Sequence, residues 1–237
     1  MAEFLSIIHH RHSSRVHFDP DRPIPPEHLN KILEAARWAP TAHNMQNFEL
    51  VVVDDRHLLD CLRGIRHRIS ETFIRENYEQ LSFSDEELRR KKVGILETMF
   101  PPSWRTPGVR PDPAEEREHS FLGGPVQKCA ALLLALYDPG RRAPASEGDF
   151  LGIMSLGCVM ENMWLVAESL GLGFQIVSAF SDPAVESEVR RILLIPETRK
   201  IAFGARVGFP TSIPHYVRVR RDLDDFVHHN LYGTRGL

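Results

Sequence analysis

Hydrophobic positions along this chain follow two patterns, a recurrence near every 3.6 residues and runs with no polar interruption, which together predict helices around a buried sheet. Phe4, Leu5, Ile7 and Ile8 predict a short helix over residues 3–10. Pro25-Pro26-Glu27 supply proline and a carboxylate at a second helix start, Leu29, Ile32, Leu33 and Ala36 carry it to Trp38, and Pro40 closes it. Residues 41–47 read as a polar loop and 48–53 as a β-branched strand ended by Asp54-Asp55. Residues 56–99 read as heavily charged helix, with a capping box at Ser84 and Glu87 and a solvated face from 85 to 92. Five prolines and a glycine over 101–113 interrupt the pattern with a loop or lid.

The unbroken apolar run 129–137 predicts a central strand buried on both faces. The longest predicted helix, 149–170, places Ile153, Leu156, Met160, Met163, Trp164, Ala167 and Leu170 on one stripe. Leu151, Val159, Leu165 and Val166 lie off that stripe, so this is a core or subunit-interface helix. Gly171 and Gly173 end it, 174–177 form a strand, Ser181-Asp182-Pro183 start a helix to about Leu193, and 201–207 form another strand. After Pro210 comes an irregular tail with Arg218, Arg220 and Arg221, then a short helix from Leu223 that would carry His228 and His229 on its surface. The fold class is α+β: a mostly antiparallel sheet wrapped by helices, in a single domain over 1–237 with a helical and proline-rich insertion at about 65–122.

Composition narrows the function classes. A net charge of −3 without basic and aromatic interleaving argues against nucleic acid as a partner. Cys61, Cys129 and Cys158 are odd in number and far apart, which reads as reduced thiols. The N-terminal residues fit neither a signal nor a transit peptide, and the run 129–137 is half a membrane span at most. The expectation is a soluble cytoplasmic protein with no membrane partner.

Several kinds of chemistry are excluded by motif. No G-x-G-x-x-G, P-loop or G-x-S-x-G elbow occurs, and His9 and His12, spaced H-x-x-H, have no nearby carboxylate or cysteine to complete a metal site. What remains is phosphate-friendly and amide-rich. Arg11-His12-Ser13-Ser14-Arg15 packs two permanent cations and two hydroxyls into five residues, which an extended backbone sorts into Arg11, Ser13 and Arg15 on one side and His12 and Ser14 on the other. Such a row suits an elongated anion; the alternative is a solvated turn. Asn44 and Gln46 offer donors and acceptors that match a flat heterocycle edge, or else serve a turn.

These pieces occur together and in order, and the chain resembles the FMN-dependent nitroreductase family. Residues 11–15 are similar to its R-x-S-x-[RK] motif, and Ala39-Pro40-Thr41-Ala42-His43-Asn44-Met45-Gln46 to its A-P-[ST]-x-x-N-x-Q loop. Gly171-Leu172-Gly173 with 174–179 resembles the segment against the isoalloxazine ring, and 218–233 the basic tail with its V-H-x-N-x-Y-G ending. Two departures stand out: Asn47 and Phe48 replace the usual proline and tryptophan, and Ser178 and Ala179 stand where many members carry an acidic residue or glycine.

The resemblance implies roles residue by residue. Arg11, His12, Ser13, Arg218 and Arg220 would hold the FMN phosphate, as bidentate arginine suits a dianion. Arg15 would reach the N1 and C2=O edge and tune the ring, Ser178 being a second tuning candidate. Pro40, Thr41, Ala42, Asn44 and Gln46 would come from the second subunit of a homodimer whose C-terminal tails are exchanged, adding a fifth strand. Ile176, Val177, Ser178 and Ala179 would line the ring. Phe100, Trp104, Arg105 and Phe121, in the proline-rich segment, would either cover the flavin and select small-molecule acceptors or pack on the partner. The implied function is transfer of hydride from NADH or NADPH through FMN to a nitroaromatic, quinone or similar acceptor, with no catalytic side chain or metal required. Rivals on the same scaffold are reductive dehalogenation, dehydrogenation of a modified peptide, flavin breakdown and a non-enzymatic flavin-binding regulator.

Overall fold

The computed structural model describes residues 2–66, 72, 75–99, 129–144, 148–177, 180, 182–213 and 216–236. Strands β1 (Glu49–Val53), β2 (Ser82–Phe83), β3 (Ile95–Leu96), β4 (Ala131–Tyr137), β5 (Gly173–Val177) and β6 (Lys200–Gly208) alternate with helices α1 (Ala2–His10), α2 (Pro26–Arg37), α3 (Arg56–Arg63), α4 (Asp85–Lys91), α5 (Phe150–Ser169) and α6 (Pro183–Leu193). The chain divides into two compact units, Met1–Arg68 with Arg117–Pro214, and Ile69–Glu116 with His215–Leu237.

The first unit is built on an antiparallel sheet in the order β1-β4-β6-β5, as the α+β reading requires. β4 lies inside it and is buried over nearly its whole length, which is why its sequence shows no polar alternation. Its alternating side chains feed two cores. Leu132, Leu134 and Leu136 join Val53, Val177, Leu59 and Leu62 of α3, and Val185 and Val189 of α6. On the opposite face Leu133 joins Phe174, Ala205 and Val207, with Ile32 and Ala36 of α2 and Val159, Met163 and Ala167 of α5. By length and composition α5, of 20 residues, is apolar enough to cross a membrane; burial in this core covers only Leu156, Val159, Met163, Trp164 and Ala167 of it.

Local signals set the boundaries. Asp182 accepts from Ala184 N at 2.8 Å and starts α6 with Pro183. α5 ends in a Schellman motif: Leu172 N donates to Ala167 O at 2.9 Å, Gly171 N to Glu168 O at 3.0 Å, and Gly171 takes φ +69°. Along α5 the predicted stripe holds for Leu156, Met163, Trp164 and Ala167, whereas Ile153 near its start is exposed together with Phe150 and Met154.

The second unit corrects the reading of 56–99 as continuous helix. After α3, the described residues hold a π turn (Arg75–Glu79), the short parallel pair β2 and β3, helix α4 between them and a 3-10 turn at Glu97–Met99. Ser84 caps α4 by accepting from Glu87 N at 3.3 Å, and Lys92, in the left-handed region at φ 57°, ends it. Lys92 also pairs with Asp222, which precedes a 3-10 turn at Leu223–Asp225. His228 and His229 are not on a helix: the turn stops at Asp225, and the His228 ring stacks on Tyr232 while Nδ1 accepts from Gly233 N at 2.8 Å.

Candidate functional site

The Arg11–Arg15 segment is irregular backbone docked on the sheet. Arg11 N closes α1 on Ile7 O at 2.8 Å, and Ser14 N then donates to Phe174 O of β5 at 3.0 Å. Beyond it, Phe18 bridges to Pro210, Asp19 N donates to Phe209 O at 2.9 Å and Thr211 N to His17 O at 2.9 Å, so residues 14–19 run beside the sheet. Close approach is possible because residue 173 lacks a side chain: a Cβ there would stand 2.4 Å from the Phe18 ring and 3.1 Å from Ser14 Cβ.

The side chains of the segment follow the period of two only at His12 and Ser14; Arg11 and His12 both reach α5, at Glu161 and Glu168. Ser14 Oγ lies 3.4 Å from His12 Nε2, so these two share a side. The His12 carbonyl accepts from Trp164 Nε1 at 3.0 Å, and His12 Nδ1 lies 2.9 Å from His10 O and 3.7 Å from Glu168. The Arg11 guanidinium sits 4.6 Å over the Trp164 ring with Nε 3.4 Å from Glu161. That Nε is buried and has no hydrogen-bond acceptor. Ser13 is half-buried and Arg15 exposed.

A buried arginine ties this segment down. Arg206 of β6 is 4% exposed; its Nε donates to Gln175 Oε1 at 2.6 Å, and its Nη2 to Ser14 O at 3.0 Å and Val16 O at 2.5 Å, over the Phe18 ring at 4.2 Å. Nearby, burial pushes the Cys129 thiol up to about 11, against the opposing charges of Arg206 and Arg56.

The second motif forms a tight loop. Ala42–Asn44 make a 3-10 turn, and His43, Asn44 and Gln46 adopt left-handed φ of 52°, 50° and 47°. Gln46 N donates to Thr41 Oγ1 at 3.1 Å, Gln46 Nε2 to Asn44 Oδ1 at 3.1 Å, and Ala42 N to Ser155 Oγ of α5 at 3.0 Å. The two carboxamides therefore face each other at the surface, and Pro40, Asn44 and Gln46 are exposed. Asn47 anchors the far end of the loop on residues 138–141.

Of the residues assigned to the ring, Val177 has its side chain in the core and offers only its backbone, whereas Ile176 is half-buried. Ser178, Ala179, Phe100, Trp104, Arg105 and Phe121 lie outside the described residues. Arg218 and Arg220 belong to the second unit and are exposed, Arg220 Nη1 donating to Val219 O at 2.7 Å. In the first unit the structure thus brings residues 11–15 against β5. Sequence reading had no role for Arg206, Gln175, Glu161 or Glu168; the available signal was a charge at 206 between Ala205 and Val207 in the otherwise apolar run 201–207.

Comparison with known proteins places this geometry. The model of the nitroreductase family matches residues 8–209, which takes in the docked segment, the loop and the whole sheet. The chain belongs to the nitroreductase family. An NADPH-flavin oxidoreductase of Vibrio harveyi is 31% identical over 141 residues, 54% of this chain and 58% of that protein. A relative from Archaeoglobus fulgidus is 46% identical over 59 residues, 25% of this chain and 33% of its own length. The chain thus spans less than two thirds of either curated relative. Among solved structures, an FMN-dependent nitroreductase of Clostridium difficile R20291 superposes with TM-score 0.58 at 19% identity, covering 98% of this chain and 100% of that one. A nitroreductase with bound FMN from Bacteroides fragilis gives TM-score 0.55 at 18% identity, covering 99% and 98%. These likenesses show the nitroreductase fold over nearly the full length. The family match ends before Arg218, so the basic tail lies outside it.

Proposed function

We propose that this nitroreductase is an FMN-dependent oxidoreductase that takes hydride from NADH or NADPH and passes reducing equivalents to a nitroaromatic, quinone or similar conjugated acceptor. The observation that carries this reading is the docking of residues 11–15 on β5 through Ser14 N and Phe174 O, with the buried Arg11 Nε ion-paired to Glu161 and making no hydrogen bond. The donor set fits FMN: a guanidinium with unused donor capacity, an imidazole and two hydroxyls stand next to the strand that the ring would lie on. The bound flavin would supply the hydride chemistry by accepting and releasing reducing equivalents.

The chain's own residues bind and orient. Arg11, His12 and Ser13, joined by Arg218 and Arg220, hold the phosphate; Arg15 places a fixed cation against the pyrimidine edge and favours the reduced, more negative form. Ile176, the Val177 backbone, Ser178 and Ala179 line the ring. Pro40, Thr41, Ala42, Asn44 and Gln46 reach it from the partner of a homodimer, a reading supported by the exposure of Pro40, Asn44 and Gln46 and by Phe150, Ile153 and Met154, uncovered on α5. Exchanged C-terminal tails complete the dimer, Trp104 and its neighbours select acceptors, and the protein works in the cytoplasm as one domain with an insertion at about 65–122.

A visible spectrum of the purified protein, with phosphate analysis of the released flavin, tests the cofactor. FMN at one per chain supports the reading. Protein that is colourless and takes up no FMN on titration overturns it.

A further inference from the structure

Arg206 is the one fully enclosed charge in the described core that meets the candidate site from beneath, and the sequence motifs assign it nothing. Its contacts fall on three pieces of the site. Nε holds Gln175, the β5 neighbour of Phe174 and Ile176; Nη2 holds the carbonyls of Ser14 and Val16; the guanidinium plane lies on Phe18, which packs at Gly173. Clamping both carbonyls fixes the backbone on each side of Arg15 and sets how far Arg11 to Arg15 stand from β5.

The planarity of the guanidinium matters for this task. A rigid fork donates to separate acceptors in fixed directions, and a lysine ammonium on a flexible stem keeps the charge without reproducing them. A buried cation is also costly to leave without its acceptors, so the segment cannot drift from Arg206 without penalty. Three donations go to two backbone carbonyls and a carboxamide, which makes Arg206 a brace for the segment.

We infer that Arg206 is a positioning residue for cofactor binding, holding the Arg11–Arg15 segment at the distance from β5 at which its cations and hydroxyls grip the FMN phosphate. This rests on the FMN reading above and adds to it a residue that does not itself touch the flavin.

The test compares FMN with riboflavin, which has the same ring and no phosphate, by fluorescence titration of apoprotein, in wild type, Arg206→Lys and Gln175→Leu. Apoprotein melting and sedimentation give the fold and assembly of each variant. A brace for the phosphate grip predicts that Arg206→Lys weakens FMN by about tenfold, the scale of one charge-assisted hydrogen bond, while riboflavin affinity changes by less than about twofold. Gln175→Leu, which removes one acceptor and leaves the two carbonyl contacts, gives a smaller loss in the same direction and serves if the lysine variant does not fold. Equal losses for FMN and riboflavin, or no loss in either folded variant, overturn the inference. A wild type that binds FMN no better than riboflavin would overturn the phosphate reading itself, and this inference with it; a wild type that discriminates, with variants that discriminate equally, overturns this inference alone.

Discussion

Asn47 and Asp138 exchange hydrogen bonds across the base of the 40–47 loop: Asn47 Nδ2 donates to Asp138 O at 2.9 Å, and Asp138 N donates to Asn47 Oδ1 at 3.3 Å. Nδ2 donates again to Arg141 O at 2.9 Å. The position where the family usually carries proline is here a side-chain clamp. Asn47→Ala should cost about 0.5–1.5 kcal/mol for each hydrogen bond lost, Asp138 O keeping Arg141 N as a donor, and Asn47→Asp should cost more, because a carboxylate would face the two carbonyls without donating to them. Urea unfolding of the three proteins checks the order; wild-type stability in both variants would show that the donor arm contributes nothing.

Gly173 is set by close approach. A methyl group there meets the Phe18 ring at 2.4 Å, and Phe18 is itself enclosed. Gly173→Ala is expected to destabilise by about 1–3 kcal/mol through overpacking, with Phe18→Leu in the same chain returning part of the loss. Chemical denaturation of the single and double variants measures this, and strict additivity would argue against the contact.

The two positions above bear on what was legible in the sequence. β4, α5 and α6 were readable because local signals agreed with the packing: an unbroken apolar run, an apolar helical period closed by Gly171, and an Asp182-Pro183 start. Within 75–99 the Ser84-capped helix Asp85–Lys91 was readable, but β2 and β3, two residues each, were not, since they exist only through their pairing with each other. Arg206 was hidden for a different reason. Its partner Ser14 lies 192 residues away in the chain, and an arginine in a strand reads as a solvent-facing position unless the neighbour that encloses it is known. The flavin motifs, by contrast, are contiguous short segments, so they could be read without the fold.

Cys129 should give the stability of the protein an alkaline limit. Burial raises its thiol to about 11 in the folded chain, above about 8.5 for a free thiol. The folded state therefore holds this proton more tightly than the unfolded state. The resulting stabilisation is fully present below the unfolded value and is lost as pH rises through that range towards the folded one, by roughly 3 kcal/mol. Melting temperatures from pH 8 to 11 should fall more steeply for wild type than for Cys129→Ala; parallel curves would remove the thiol as the cause.

Arg11 Nε is buried beside the docked segment, pairs with Glu161 at 3.4 Å and makes no hydrogen bond. Arg11→Ala should weaken FMN by at least about tenfold, consistent with loss of a charge-assisted contact, and should leave riboflavin affinity nearly unchanged. Fluorescence titration with both flavins reads the difference. Unchanged FMN affinity would remove Arg11 from the phosphate site.

In the proposed function the flavin exchanges hydride with a nicotinamide nucleotide and a second acceptor. Anaerobic mixing of FMN-loaded protein with NADH or NADPH, followed by addition of a quinone, tests it most directly. The account predicts that the visible flavin band bleaches with at least one of the two nucleotides and returns when the quinone is added, over repeated cycles. A bound flavin that stays oxidised with both nucleotides, yet bleaches with dithionite, would contradict it and leave a flavin-binding protein without this activity.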